Sequence, residues 1–154
     1  MLNEENLKRV KELEKRYPTK KALTLPVLWM VQEQFGWISP ETMKYVACML
    51  DVPLSHIYGV VTFYTMFNTR PVGKYHLQIC TNVSCQLVGG AKLMDHVCTK
   101  LGVEPGQTTS DKKFTVTEVE CLGSCGTSPM MQVNDEYYEN LSLERVDRIL
   151  EKLG

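Results

Sequence analysis

The sequence predicts an α+β protein, with an N-terminal small helical bundle over residues 1–70 and an α/β domain over residues 71–154. Three observations carry this. Apolar residues recur at helical spacing through the first seventy positions. The period then changes to two just after Arg70-Pro71-Val72-Gly73. From there strand and helix signals alternate to the end of the chain.

In the first part, Leu7, Val10, Leu13 and Tyr17 mark one helix face. Glu4/Lys8, Glu5/Arg9 and Glu12/Arg16 stand as i,i+4 pairs in the favourable order. Pro18 ends that helix. A second helix begins near Pro26 and runs through Trp29 and Phe35 to a C-capping Gly36. Ser39-Pro40-Glu41 opens a third: a capping serine, proline at the first turn and an acid near the positive end of the dipole. Met43, Val46, Ala47 and Leu50 form its apolar stripe. A fourth helix starts at Pro53 and runs toward Val61. Short helices with short connections indicate a bundle.

In the second part, Tyr75, Leu77 and Ile79 alternate with His76, Gln78 and Cys80, which is a strand. A helix follows with Leu87, Ala91, Met94, Cys98 and Leu101 on one face and Gly102 as its stop. Phe114 to Val119 is a second strand. Asn134-Asp135 is the turn of a hairpin between Met130–Val133 and Tyr137-Tyr138. Ser142 caps a last helix with Leu143, Val146, Ile149, Leu150 and Leu153 inward. The order strand-helix-strand, strand-strand-helix is that of a thioredoxin-like α/β domain.

Composition excludes several classes of function. Over 154 residues the apolar content is 44%, the charged content 23% and the net charge −1, which is ordinary globular usage. Such a balance leaves no electrostatic footprint for nucleic acid. No apolar run has the length of a membrane span, so no direct membrane insertion is expected. The N-terminus lacks the basic and apolar regions of a secretory signal. Six cysteines in a chain that reads as intracellular point to metal binding or redox chemistry rather than to a disulfide scaffold.

Four of the six form two pairs. Cys80 ends the first strand and four residues separate it from Cys85. Cys121 follows the second strand and three residues separate it from Cys125. If the strands are neighbours, both pairs leave the sheet at one edge. A [2Fe–2S] cluster takes two thiolates per iron, so its ligands come as two close pairs. Its negative charge calls for donors. A helix starting at Cys85 would offer free N–H groups, and Gly123 and Gly126 would let the second loop turn its amides inward. Spacing alone leaves iron–sulfur, structural zinc and redox thiols all open. No Cys-x-x-Cys occurs, which counts against thiol–disulfide exchange.

The runs Cys80-Thr81-Asn82-Val83-Ser84-Cys85 and Cys121-Leu122-Gly123-Ser124-Cys125 resemble those of the thioredoxin-like [2Fe–2S] ferredoxins. Gln32 to Ile38, Gly59 to Phe67 and Pro129 to Tyr138 are similar to the branch of that family represented by the E subunit of bacterial NADH:quinone oxidoreductase, respiratory complex I. The resemblance implies that Cys80, Cys85, Cys121 and Cys125 ligate one [2Fe–2S] cluster. It also implies an electron-transfer subunit whose partner is an NADH- and FMN-binding flavoprotein, in a cytoplasmic peripheral arm at the membrane face. NAD-linked hydrogenases and formate dehydrogenases have equivalent subunits, and a zinc-stapled interaction module is the alternative from another class. This chain carries no G-x-G-x-x-G after a strand, so the FMN and NADH are expected on the partner and the isolated chain is not expected to be catalytic. Gln86 departs from the bulky aromatic that many relatives have after the second cysteine.

The remaining candidates read as structural. Cys48 and Cys98 lie on apolar helix faces as buried thiols. His56, His76 and His96 are isolated from the cysteine motifs, so a Rieske-type centre is not indicated. Phe63, Tyr64 and Phe67 read as packing between the two parts, and Met130-Met131 as core in preference to the lining of the cluster pocket. Pro129 occupies a place where such folds carry a cis-proline.

Overall fold

A computed structural model describes residues 1–154. The chain forms two compact units, Met1–Pro71 and Val72–Gly154. The first contains α1 (Glu4–Glu14), α2 (Thr24–Phe35), α3 (Pro40–Leu50) and α4 (Leu54–Phe63), with a 3-10 turn at Lys20–Leu23. The caps follow the sequence signals. The Ser39 side chain accepts the Thr42 N–H, and Gly36 ends α2 in the left-handed region at φ 79°. Leu23, Val27, Leu28, Val31, Ile38, Val46, Leu50, Ile57 and Val61 form the bundle core, each worth about 1.5–3 kcal/mol when fully buried.

The first helix departs from expectation. Its inward face is Leu2, Asn6 and Val10, while Leu7 and Tyr17 are exposed. The buried Asn6 is satisfied by the Gln34 side chain, to which its Nδ2 donates at 3.2 Å, and that partner lies too far along the chain for periodicity to reveal. The expected i,i+4 ion pairs are absent as well. α1 ends at Glu14, before Arg16 completes a turn, so Glu12 pairs with Lys15 and Arg9 reaches Glu33 on α2. The aromatic run divides. Phe67 enters the bundle core beside Trp29, whereas Phe63 is 76% exposed.

The second unit contains β1 (Tyr75–Cys80), α5 (Val83–Leu87), α6 (Gly90–Leu101), β2 (Phe114–Val119), β3 (Met131–Val133), β4 (Glu136–Tyr138) and α7 (Leu143–Leu153). The sheet order is β2-β1-β3-β4. β1 and β2 are parallel, with Cys80 opposite Val119, and β3 pairs antiparallel with both β1 and β4. Leu77, Ile79, Val116, Met131 and Val133 face α6 and α7, where Leu93, Met94, Val97, Val146 and Leu150 close the core. By alternation His76, Gln78 and Cys80 occupy the other face with Thr115, Thr117 and Val119.

Two helical readings are corrected. The single helix after β1 is two, broken at Gly89, whose φ of 104° no helical residue adopts. α6 buries Leu93, Met94 and Val97, with Cys98 and Leu101 packed against the same core, so Met94 keeps its expected place, while Leu87, before the break, is 81% exposed. Leu143, the first residue of α7 after its cap, is also exposed.

Candidate metal centre

The parallel register fixes where the cysteines can be. Cys80 is the last residue of β1, and its partner Val119 stands two residues before Cys121. Both cysteine-bearing loops therefore leave the C-terminal ends of adjacent strands. Cys80 and Cys85 are buried with Met130, and Val119 and Leu122 pack against that small cluster. Cys121 and Cys125 are exposed. Met130 and Met131 thus part company: Met131 fills the main core, while Met130 forms a floor under the first pair. The Cys80 N–H donates to the Met130 carbonyl at 3.3 Å and ties strand end to floor.

The first loop is built from backbone. Asn82 caps α5 by accepting the Val83 N–H. The helix therefore starts at Val83, two residues before the expected start at Cys85, and it has only five residues. Such a short segment sums little dipole. The close packing comes instead from Gly90. A Cβ there would lie 2.9 Å from the Cys85 carbonyl carbon and oxygen and 3.1 Å from the Cys80 oxygen. Only glycine lets the start of α6 rest on the backbone of both cysteines.

Side chains hold the second loop. Ser124 and Thr127 hydroxyls donate to the Glu139 carboxylate. Those bonds, Ser124's first, hold that carboxyl below the usual range. The Tyr137 hydroxyl donates to the Leu122 carbonyl at 2.9 Å. The Gly123 N–H donates to Cys121 Sγ at 3.3 Å, with Gly123 at φ 76°, as an anion-binding turn requires. Ser128 joins the loops: the Cys85 thiol donates to Ser128 Oγ at 3.4 Å, and that hydroxyl donates to the Cys125 carbonyl at 3.0 Å. The Ser128–Pro129 peptide is cis.

The histidines are engaged elsewhere. His56 bonds Thr24, His76 bonds Thr117 and His96 bonds Asp147. No three His, Cys, Asp or Glu side chains converge as the ligands of a single ion. Four thiolates in two pairs can hold a tetrahedral zinc ion or a two-iron cluster with two thiolates on each iron. Two thiol pairs on adjoining loops, with an amide already aimed at one sulfur, are a donor set that fits the cluster. Cys48 is exposed and Cys98 half-buried, so Cys48 is not the buried thiol its apolar neighbours suggested.

The sequence pattern of the thioredoxin-like [2Fe–2S] ferredoxin family matches residues 10–154. The chain belongs to that family. As a thioredoxin-like [2Fe–2S] ferredoxin it carries a [2Fe–2S] cluster and serves electron transfer. It is 44% identical over 154 residues to the E subunit of NADH-quinone oxidoreductase from Rickettsia conorii, a match spanning 98% of this chain and 92% of the relative. It is 43% identical over 136 residues to the second such E subunit of Rhizobium meliloti, spanning 88% and 81%. Among solved structures, an NAD+-reducing [NiFe]-hydrogenase chain superposes with a TM-score of 0.74 at 24% identity. That match covers 85% of this ferredoxin but 22% of the hydrogenase chain, and it speaks to fold alone. No helix is long and apolar enough to cross a membrane.

Gly90, Ser128, Tyr137 and Glu139 were not singled out as site residues by sequence reasoning, and Met130, read as core in preference to the lining of the cluster pocket, lies against Cys80 and Cys85. Gly90 had a visible signal, a Gly-Gly pair inside an otherwise helical stretch. Glu139 had none, because its partners lie 12 and 15 residues away, and the contact of Ser128 with Cys85, 43 residues away, had none either.

Proposed function

We propose that Cys80 and Cys85 on one side, and Cys121 and Cys125 on the other, ligate one [2Fe–2S] cluster. We further propose that the chain is the electron-transfer subunit of an NADH:quinone oxidoreductase that exchanges electrons with the FMN of a partner NADH-binding flavoprotein. The observation that carries this reading is the match to E subunits of NADH-quinone oxidoreductases along nearly the whole length of both chains. When bound, the cluster supplies a one-electron donor and acceptor. The protein's own residues set its surroundings. Met130 excludes water beneath Cys80 and Cys85, the Gly123 amide is directed at Cys121 Sγ, and Glu139 fixes the loop that carries Cys121 and Cys125.

Partner docking has support beside the site. Val83, Leu87 and Val88 are 66%, 81% and 54% exposed around buried Cys85, an apolar rim of the kind interfaces use. The flavin and nicotinamide belong to the partner, and the isolated chain does not turn over NADH. The complex stands at the cytoplasmic face of the membrane with this subunit in its peripheral arm. An equivalent place in an NAD-linked hydrogenase is the second reading, raised by the fold shared with the hydrogenase chain. Purification of the native complex decides. Co-purified flavoprotein and quinone-reducing subunits are expected, whereas a nickel–iron subunit in their place would establish the second reading. A colourless preparation with stoichiometric zinc would overturn both.

A further inference from the structure

Ser128 provides the one side-chain hydroxyl in hydrogen-bond contact with any of the four cysteine sulfurs, at Cys85 Sγ. Its backbone is fixed on both sides. The Asn140 N–H donates to the Thr127 carbonyl at 2.7 Å and the Leu141 N–H to the Pro129 carbonyl at 2.9 Å. With Cys85 as a thiol, protons run in one direction, from sulfur to Ser128 Oγ and from that hydroxyl to the Cys125 carbonyl. A hydroxyl has one proton to give. A thiolate has none, so in the ligated state Cys85 can only accept. The hydroxyl then faces a neutral carbonyl and an anionic sulfur, and a charge-assisted bond is about twice as strong as a neutral one.

We propose that Ser128 tunes the reduction potential of the cluster: on ligation its hydroxyl turns from the Cys125 carbonyl to donate to Cys85 Sγ, and it raises the potential. The direction follows from charge. Reduction adds one electron and no proton, the hydroxyl proton stays on Ser128, and the added negative charge is shared by the sulfur ligands. A donor to sulfur stabilises the reduced form more than the oxidised form. Gly123 gives the other pair a comparable bond from the backbone, which side-chain substitution leaves in place.

The inference rests on Cys85 being a ligand, and the two are separable. Cys85→Ser tests the ligand, and an unchanged visible spectrum would remove that assignment. Ser128 is tested in the full-length, cluster-loaded chain by redox titration followed by EPR. A second readout is pulsed ENDOR after exchange into D2O. Ser128→Ala should load its cluster fully, titrate at a more negative midpoint and lose one exchangeable proton coupling. Ser128→Thr should restore both. Ser128→Gly supplies a second form without the hydroxyl. An unchanged midpoint in a fully loaded Ser128→Ala, or a Ser128→Thr that titrates like the alanine form, would overturn the proposal. Failure of both hydroxyl-free forms to hold a cluster would overturn it too, because it would assign Ser128 to holding the loop.

Discussion

The two cysteine loops are built by opposite means. The loop from Cys80 to Cys85 buries both of its cysteines, rests on Met130 and is shaped by backbone against backbone at Gly90. The loop from Cys121 to Cys125 is exposed and is held by hydroxyls and a carboxylate. Close packing tolerates little change of volume, whereas a solvent-exposed polar clamp yields gradually. The first loop therefore behaves as a preformed wall, and the second as an adjustable one.

The comparison can be broken outright at the cysteines. Serine in place of Cys80, Cys85, Cys121 or Cys125 should abolish or displace the visible absorbance, while Cys48→Ser and Cys98→Ser leave it intact. Loss of the spectrum from either of the last two would mean the wrong four were assigned. Removing the floor comes next. Met130→Ala should cost about 2–5 kcal/mol, the range for a buried methionine, seen as a lower urea midpoint of the second unit. Gly90→Ala should cost about 1–3 kcal/mol by overpacking and reduce cluster loading, because the new Cβ meets backbone that cannot rotate away.

The second loop should respond more softly, and to pH. The Glu139 carboxyl is held below its unfolded value by the Ser124 and Thr127 hydroxyls. A depressed acid contributes stability that is present above its unfolded pKa and lost as pH falls through the lower folded value. Glu139→Gln should therefore lower apo-protein stability at neutral pH and flatten part of its acid limb, the two forms converging as pH falls through the folded value. A limb as steep as wild type would remove the clamp from the account. The smallest effect on the isolated chain is expected from Leu87→Ser. Stability and spectrum should stay within error, and only association with the flavoprotein should weaken, measured by co-purification.

Much of this was legible because it is local. Caps at Ser39 and Ser142, the turn at Asn134 and the alternation of Tyr75–Cys80 depend on neighbours within a few residues, and the strands and most helices lie where such signals put them. The cysteine pairs were legible for the same reason, each pair being nearly contiguous. What escaped was non-local. The inward turn of Asn6 needs Gln34, the support of Cys121 and Cys125 needs Glu139, and the floor under Cys80 needs Met130. The helix break also escaped. The inward face of α6, on which Met94 lies as expected, was carried back through Gly89 onto Leu87, which is exposed. Adjacent Met130 and Met131 could not be told apart by composition, and strand alternation sends one to each side of the sheet.

The order of these parts along the chain has a consequence for biosynthesis. Cys80 and Cys85 are synthesised before β2 exists to pair with β1 and before Met130 exists to lie beneath them. At ~5–20 residues per second of elongation, the first cysteine pair waits about 2–9 s for its floor and slightly longer for the residues that steady the second pair. During that interval two nucleophilic thiols stand on an unpaired strand end, open to oxidation or to the wrong metal. Maturation of this ferredoxin is therefore a task for the nearly finished chain, and the shielding of early thiols belongs to the cell rather than to the fold.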